Sequence, residues 1–266
     1  DPDVDLTTIA LGTPGFTGAD LANLANEAFS FAKKDNPGKK KFPTAMRHFT
    51  RAKDKVMMGA ERKSLVLTDE DKLRTAYHEA GHAIVAMRTP GSDPVEKVSI
   101  MPRDRSLGVM IQLPPADRHH YTRSFLTAKL AVMMGGRAAE ETFFDFDVTA
   151  GAQSDIEVAT EWASNMVCQW GMSELGPVAL KRQTRSVFLD RGGGGVYNCS
   201  PNLAARADEE IRTILEDALS TARAILQKER AVVEAISQEL FLRTDLSGVE
   251  IQKIIDTHTR PNVNSS

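Results

Sequence analysis

His78-Glu79-Ala80-Gly81-His82 is the stretch on which the reading of this chain turns. Its form is H-E-x-x-H. On a helix, side chains four apart project from one face, so both imidazoles can reach one Zn²⁺. Glu79 lies about 100° round the helix from His78, where a carboxylate addresses a water on the metal and not the metal itself. A bound zinc lowers the pKa of such a water to about 7, and a glutamate in that position takes its proton as general base. The candidate roles are therefore His78 and His82 as metal ligands and Glu79 as catalytic base, the signature of a zinc metalloprotease. Two packed or solvated histidines that happen to be four apart are the competing explanation.

The flanking residues favour a helix. Thr68 followed by Asp71 resembles a capping box, with Asp in place of the usual Glu or Gln. Asp69, Glu70 and Asp71 put negative charge on the first turn, where the helix dipole favours it. Leu73, Ala76, Tyr77, Ala80 and Ile84 recur at helical spacing, and Pro90 ends the run. This places the two histidines at the edge of a buried stripe.

Composition bounds the alternatives. The 266 residues are 41% hydrophobic and 26% charged with a net charge of −3, as in an ordinary globular protein of one large or two smaller domains. That mild acidity gives no reason to expect nucleic-acid binding. Two cysteines, Cys168 and Cys199, provide neither a disulfide framework nor a thiolate zinc site, and Cys168 falls in a helical apolar pattern suited to packing. No stretch approaches 18 apolar residues and no signal peptide opens the chain. Asp1-Pro2-Asp3-Val4-Asp5 reads as mid-protein sequence, so a soluble piece of a longer chain is expected.

Residues 1–62 read as helical. Thr17 with Asp20 forms a start signal, followed by Leu21, Leu24, Ala25 and Ala28 at helical spacing. Asp35-Asn36-Pro37-Gly38 and a solvated Lys39-Lys40-Lys41 run break the pattern, and a second helix is predicted from Pro43 to Met58. Gly59–Leu67 is the linker candidate. Beyond the H-E-x-x-H helix, Val95–Met101 and Leu107–Leu113 read as strands joined by a hairpin loop at Pro102–Ser106, with Val98, Ile100, Val109, Ile111 and Leu113 alternating. From Tyr121 onward the chain reads as helical except at Asp145–Ser154 and around Gly192–Gly195. That glycine run lacks the preceding strand and following helix start of a phosphate-binding loop. Apolar-periodic segments at about 203–228 and 229–242 suggest a helical bundle.

A catalytic zinc usually takes three protein ligands and leaves one position open. His119-His120 sits in a polar loop and reads as solvated. The other candidates are the tandem Glu140-Glu141, within Gly135-Gly136-Arg137-Ala138-Ala139-Glu140-Glu141, and Asp155, within Gly151-Ala152-Gln153-Ser154-Asp155. Asp155 opens a helix whose buried face is predicted to carry Ile156, Ala159, Ala163, Met166, Val167 and Trp170. A carboxylate there is equally at home as a partner of the helix dipole. The residues alone leave the third ligand open.

Thr75–Ala83, Gly135–Glu141 and Gly151–Ile156, in this order, resemble the membrane-anchored ATP-dependent zinc metalloproteases of the FtsH/AAA type. The resemblance covers most of the chain, and it implies that the third ligand is Asp155. Thr13-Pro14-Gly15-Phe16-Thr17-Gly18-Ala19-Asp20-Leu21 is similar to the start of a helix in the lid of the family's AAA ATPase module, where Gly18 and Ala19 would lie near nucleotide in the full-length protein. Three departures stand out. No G-x-x-x-x-G-K-[ST] loop occurs, the ATPase core and membrane segments that precede the lid are missing, and Ser154 replaces the more usual Asn.

The combined expectation is a mainly α chain: a partial AAA lid over 1–62, then a helical zinc metallopeptidase domain with a small β-hairpin over 63–266. Its implied function is hydrolysis of peptide bonds in unfolded or membrane proteins, with Zn²⁺ as its own cofactor and ATP used only by the full-length protein. The substrate is expected to add as a strand along 107–113. The resemblance also implies a homo- or hetero-hexamer, anchored in a bacterial plasma membrane or a mitochondrial or plastid membrane through segments absent here. The alternatives are an inactive zinc-containing assembly module and a small-molecule zinc hydrolase.

Overall fold

Helix signals at the N-terminal end are met by real caps. In the computed structural model, which describes residues 2–62, 65, 67–103, 106–114, 120–180, 182–183, 196–197 and 199–259, Asp5 caps α1 (Leu6–Leu11) by accepting the Thr7 N–H at 2.9 Å. Thr17 and Asp20 form a complete capping box on α2 (Gly18–Asp35). The next helix, α3 (Met46–Met58), starts three residues later than Pro43, because Ala45 ends the extended approach and donates its N–H to His48 Nδ1 at 2.8 Å. α4 (Asp69–Arg88) carries the H-E-x-x-H stretch, and Thr68 accepts the Asp71 N–H at 3.1 Å. Two strands follow, β1 (Val95–Ser99) and β2 (Val109–Gln112). Then come α5 (Arg123–Met133), α6 (Gly135–Phe143), a single 3₁₀ turn at Ala150–Ala152 and α7 (Gln153–Cys168). A two-residue ladder pairs β3 (Arg182–Gln183) with β4 (Val196–Tyr197). The chain closes through α8 (Pro201–Lys228), α9 (Arg230–Arg243), β5 (Asp245–Ser247) and α10 (Gly248–Thr259).

The fold divides into two compact units. One comprises 1–79, 93–119 and 234–266, and the other 80–92 and 120–233, so the division falls inside α4 and inside α9. In the first, α2 packs on α3 through Leu24, Ala28 and Ala52, with Ile9, Phe31 and Phe49 closing the edges. The buried face of α2 is Leu24, Ala28 and Ala32; Leu21 and Ala25, expected inside, are exposed. The same unit holds an antiparallel sheet in the order β2-β1-β5, which makes β2 an edge among the described residues. A register shift between Val95 and Lys97 interrupts the β1–β2 ladder. Lys97 reaches Asp54 at 2.7 Å and Asp245 at 3.2 Å, tying α3 and β5 to β1. Burial alone would lower the Lys97 pKa, but the two carboxylates outweigh it and the net shift is upward.

The second unit is helical apart from the β3–β4 ladder. α5, α6 and α7 pack against α8, burying Leu126, Leu130, Ala138, Ala163, Met166 and Leu226. Cys168 is buried with Val167, Leu180 and Ala207, and Cys199 packs on the same cluster, which suits the packing role expected for Cys168. Glu229 receives Arg88 Nε and Nη2, each at 3.0 Å. On α7 the inward face is Ala159, Ala163, Met166 and Val167; contrary to expectation Ile156 is exposed, and so is Trp170, which lies past the end of the helix at Cys168.

The mainly α reading with a small sheet is met, and two details correct it. The hairpin gains a third strand in β5, and the stretch beyond Tyr121, expected to be helical outside Asp145–Ser154 and the loop around Gly192–Gly195, also holds β3, β4 and β5. The Gly192–Gly195 loop lies outside the described residues, as do residues 63, 64 and 66 of the Gly59–Leu67 segment. In that segment Arg62 donates its N–H to the Pro102 carbonyl at 2.8 Å. Among the described residues, no helix is long and apolar enough to cross a membrane.

Candidate metal centre

α4 is buried on nearly every side from His78 to Ala86, a consequence of small residues at Ala80, Gly81 and Ala83. The histidines therefore lie inside, and not at the edge of a buried stripe as predicted. His78 is 8% exposed, Glu79 6% and His82 6%. Close approach of a neighbouring backbone sets this environment. A Cβ on Gly81 would lie 2.4 Å from the Gly135 carbonyl oxygen and 2.6 Å from Ala139 Cβ, and one on Gly135 would lie 2.8 Å from His82 Cα. Glycine in a helix interior costs about 1 kcal/mol relative to alanine. At Gly81 that cost is offset by letting α6 lie directly against the His82 turn.

The ring of His82 is fixed by its second nitrogen. Nδ1 stands 2.7 Å from the Val132 carbonyl oxygen on α5, a partner that can only accept, so Nδ1 carries the proton and Nε2 presents its lone pair. From that Nε2, Asp155 Oδ2 on the first turn of α7 is 3.4 Å away. One turn before His82 on the same helix, His78 completes the group: ligand atoms of His78, His82 and Asp155 all lie within 4.8 Å of one another.

Chemically, this donor set suits a divalent first-row ion. Two ligands at about 2.0–2.1 Å in a tetrahedron are about 3.3–3.4 Å apart, which is the His82–Asp155 separation. Two neutral imidazoles and one carboxylate are also the composition of a three-ligand site with one position open. Neither rival carboxylate joins the group. Glu140 Oε2 accepts the Thr149 N–H at 2.6 Å, holding the turn that leads into α7. Glu141 accepts from Arg137 Nε at 2.9 Å and from Arg223 Nε at 2.6 Å. His120 is exposed, and His119 lies outside the described residues. Gly18 and Ala19 are exposed on the first turn of α2.

Sequence reasoning missed three contributors. The Val132 carbonyl is backbone and leaves no residue-type signal. Glu140 was weighed as a ligand, whereas its bond is to the backbone at Thr149. Gly108 is the third: a Cβ there would fall 2.7 Å from Glu79 Oε1.

A helix-borne histidine pair with an intervening glutamate and a half-buried carboxylate at ligand separation defines a helical metallopeptidase domain of the H-E-x-x-H class. Residues 65–254 match peptidase family M41, and the chain belongs to that family. Residues 3–38 match the AAA+ lid domain. The chain is similar to the ATP-dependent zinc metalloprotease FtsH of Caulobacter vibrioides, 46% identical over 95% of this chain and 40% of the relative. The protein of the same description from Acidobacterium capsulatum is 44% identical over 99% of this chain and 40% of its own length. That from Photobacterium profundum is 45% identical over 95% and 36% respectively. The chain thus spans about two fifths of the length of these relatives.

Proposed function

We propose that this chain is a zinc-dependent endopeptidase in which His78, His82 and Asp155 hold the metal and Glu79 is the general base. The supporting observation is the His78–His82–Asp155 group on α4 and α7, with the Glu79 carboxyl on the same turn of α4. A zinc ion bound there would act as a Lewis acid on the scissile carbonyl and bring the pKa of a bound water to about 7. Glu79 takes the proton of the attacking water and later delivers one to the leaving amine nitrogen. Its burial keeps bulk water from competing for that proton. His82 binds through Nε2, because Nδ1 is committed to Val132. Asp155 contributes the one negative charge among the ligands.

The peptide substrate adds as a strand along the free edge of β2, whose four residues are all half-buried. Main-chain pairing of this kind is weakly selective for side chains, which suits unfolded polypeptide. In a longer protein, residues 1–62 would serve as the AAA lid and 63–266 as the peptidase domain. Gly18 and Ala19 would then lie near ATP, and hexamer formation and a membrane anchor would deliver unfolded or membrane proteins to the site.

Metal analysis paired with a peptide-cleavage assay tests the assignment. Glu79→Gln should retain zinc and lose activity, since the base goes and the ligands stay. His78→Ala and His82→Ala should lose both, and Asp155→Asn should bind zinc far more weakly. Zinc loss in Glu79→Gln with normal zinc in Asp155→Asn would reverse the roles.

A further inference from the structure

Gly108, immediately before β2, has a feature that no turn requires. Its φ is not positive, so its backbone conformation is open to any residue, and the need for glycine there is spatial. A Cβ on Gly108 would lie 2.7 Å from Glu79 Cγ, 2.7 Å from Glu79 Oε1 and 2.9 Å from Thr75 Cγ2. Carbon atoms in ordinary contact sit about 3.5–4.0 Å apart. The space beside residue 108 is therefore already taken by the carboxylate arm of Glu79 and, one helical turn earlier, by the Thr75 methyl. Thr75 is itself pinned, with Oγ1 donating to the Asp71 carbonyl at 2.8 Å. Of the atoms crowding that spot, Glu79 Oε1 is the far end of a flexible side chain.

We propose that Gly108 is a positioning residue for peptide hydrolysis: its bare Cα is the seat against which the Glu79 side chain rests, at the start of the edge strand that receives the substrate. The inference rests on Glu79 being the general base. A methyl at 108 displaces the Glu79 side chain and also presses on the Thr75 methyl. A base must stand within about 2.6–3.2 Å of the proton it takes. A misplacement of about 1 Å costs on the order of 100-fold in rate.

The test is steady-state kinetics on a short unstructured peptide with the whole chain, alongside zinc content and thermal melting. Gly108→Ala should lower kcat on the order of 100-fold, with KM changed by less than about threefold and zinc retained. A raised KM with kcat preserved would show that residue 108 acts in docking alone, and would overturn the proposal. The second arm uses Glu79→Asp, which withdraws the carboxylate by one methylene. Added to Glu79→Asp, Gly108→Ala should cost much less than it does in the wild type; equal factors in both backgrounds would sink the idea. If Gly108→Ala unfolds the wild-type chain, combination with Glu79→Ala and Thr75→Ser, which together empty the crowded space, should restore the fold. A combined variant that stays unfolded overturns the inference. Glu79→Gln separates this claim from the one beneath it. Activity surviving in Glu79→Gln removes the base assignment, whereas a dead Glu79→Gln beside a fully active Gly108→Ala removes only the seat.

Discussion

Glu140 and Asp155 show how two carboxylates of similar sequence prospects come to different tasks. Glu140 is 2% exposed and spends Oε2 on the Thr149 N–H, while Thr149 Oγ1 accepts the Gly151 N–H at 3.1 Å. That chain of bonds fixes the 3₁₀ turn directly before α7, and so the direction in which the first turn of α7 offers Asp155. Partners beyond the ligands commonly change metal affinity by about 10–100-fold when removed. Glu140→Ala is therefore expected to weaken zinc binding about tenfold with helix content unchanged, and Glu140→Gln, which keeps an acceptor for Thr149, to do less. Competition titration with a chromophoric chelator reads both. Equal loss of zinc in Glu140→Gln and Asp155→Asn would make Glu140 a ligand and discard the positioning role.

At the scale of elements, the site depends on α4 and α6 crossing almost backbone to backbone at Gly81 and Gly135. Overpacking a well-filled interior costs about 1–3 kcal/mol, occasionally more. At Gly81 the obstruction is a carbonyl oxygen at 2.4 Å, which cannot rotate aside. Gly81→Ala should fall at about 3 kcal/mol of destabilisation and should lower zinc occupancy as well, since His82 follows directly. Urea unfolding with parallel metal analysis measures the two effects; a fully stable, zinc-replete Gly81→Ala would mean the helices separate without cost. The helices were legible because their caps and periodicity are local: Thr17 with Asp20, Thr68 with Asp71, and the runs that became α8 and α9. β5 was not, for a physical reason. α9 ends at Arg243 and is followed by Thr244, a non-glycine residue with a φ of 66°, so no stop signal marks the end. Three residues are also too few to show a period. The glycine that matters comes just after, where Gly248 opens α10 with room for no Cβ against the Val95 carbonyl. The candidate site divides in the same way. His78, Glu79 and His82 form a pattern within one helix. Asp155 comes near His82 only through tertiary packing, which is why the residues alone left Glu140, Glu141 and Asp155 open.

For the whole molecule, the question is which activities these 266 residues carry without the remaining three fifths of their relatives' length. The sequence contains no G-x-x-x-x-G-K-[ST] loop, so it lacks the backbone cradle and lysine that bind nucleotide phosphates in such ATPases. The groups proposed for peptide hydrolysis, by contrast, all lie between Thr75 and Asp155. Cleavage and ATP hydrolysis should therefore separate. The purified chain is expected to cut a short unstructured peptide at a rate indifferent to ATP and to lose that activity to a zinc chelator. Added zinc should then restore it. A stably folded protein should resist, because strand addition at the β2 edge needs an extended segment and nothing in the chain pulls one free. Leu6, Leu11, Leu242 and Val249 are exposed, and self-association is expected to use such apolar side chains. Assembly without an ATPase ring should then rise with concentration, as sedimentation across a dilution series would register. Measuring peptide cleavage, phosphate release and sedimentation on one preparation decides the matter. ATP hydrolysis by the pure chain, or peptide cleavage that requires ATP, would demand a nucleotide site built from residues other than a phosphate loop.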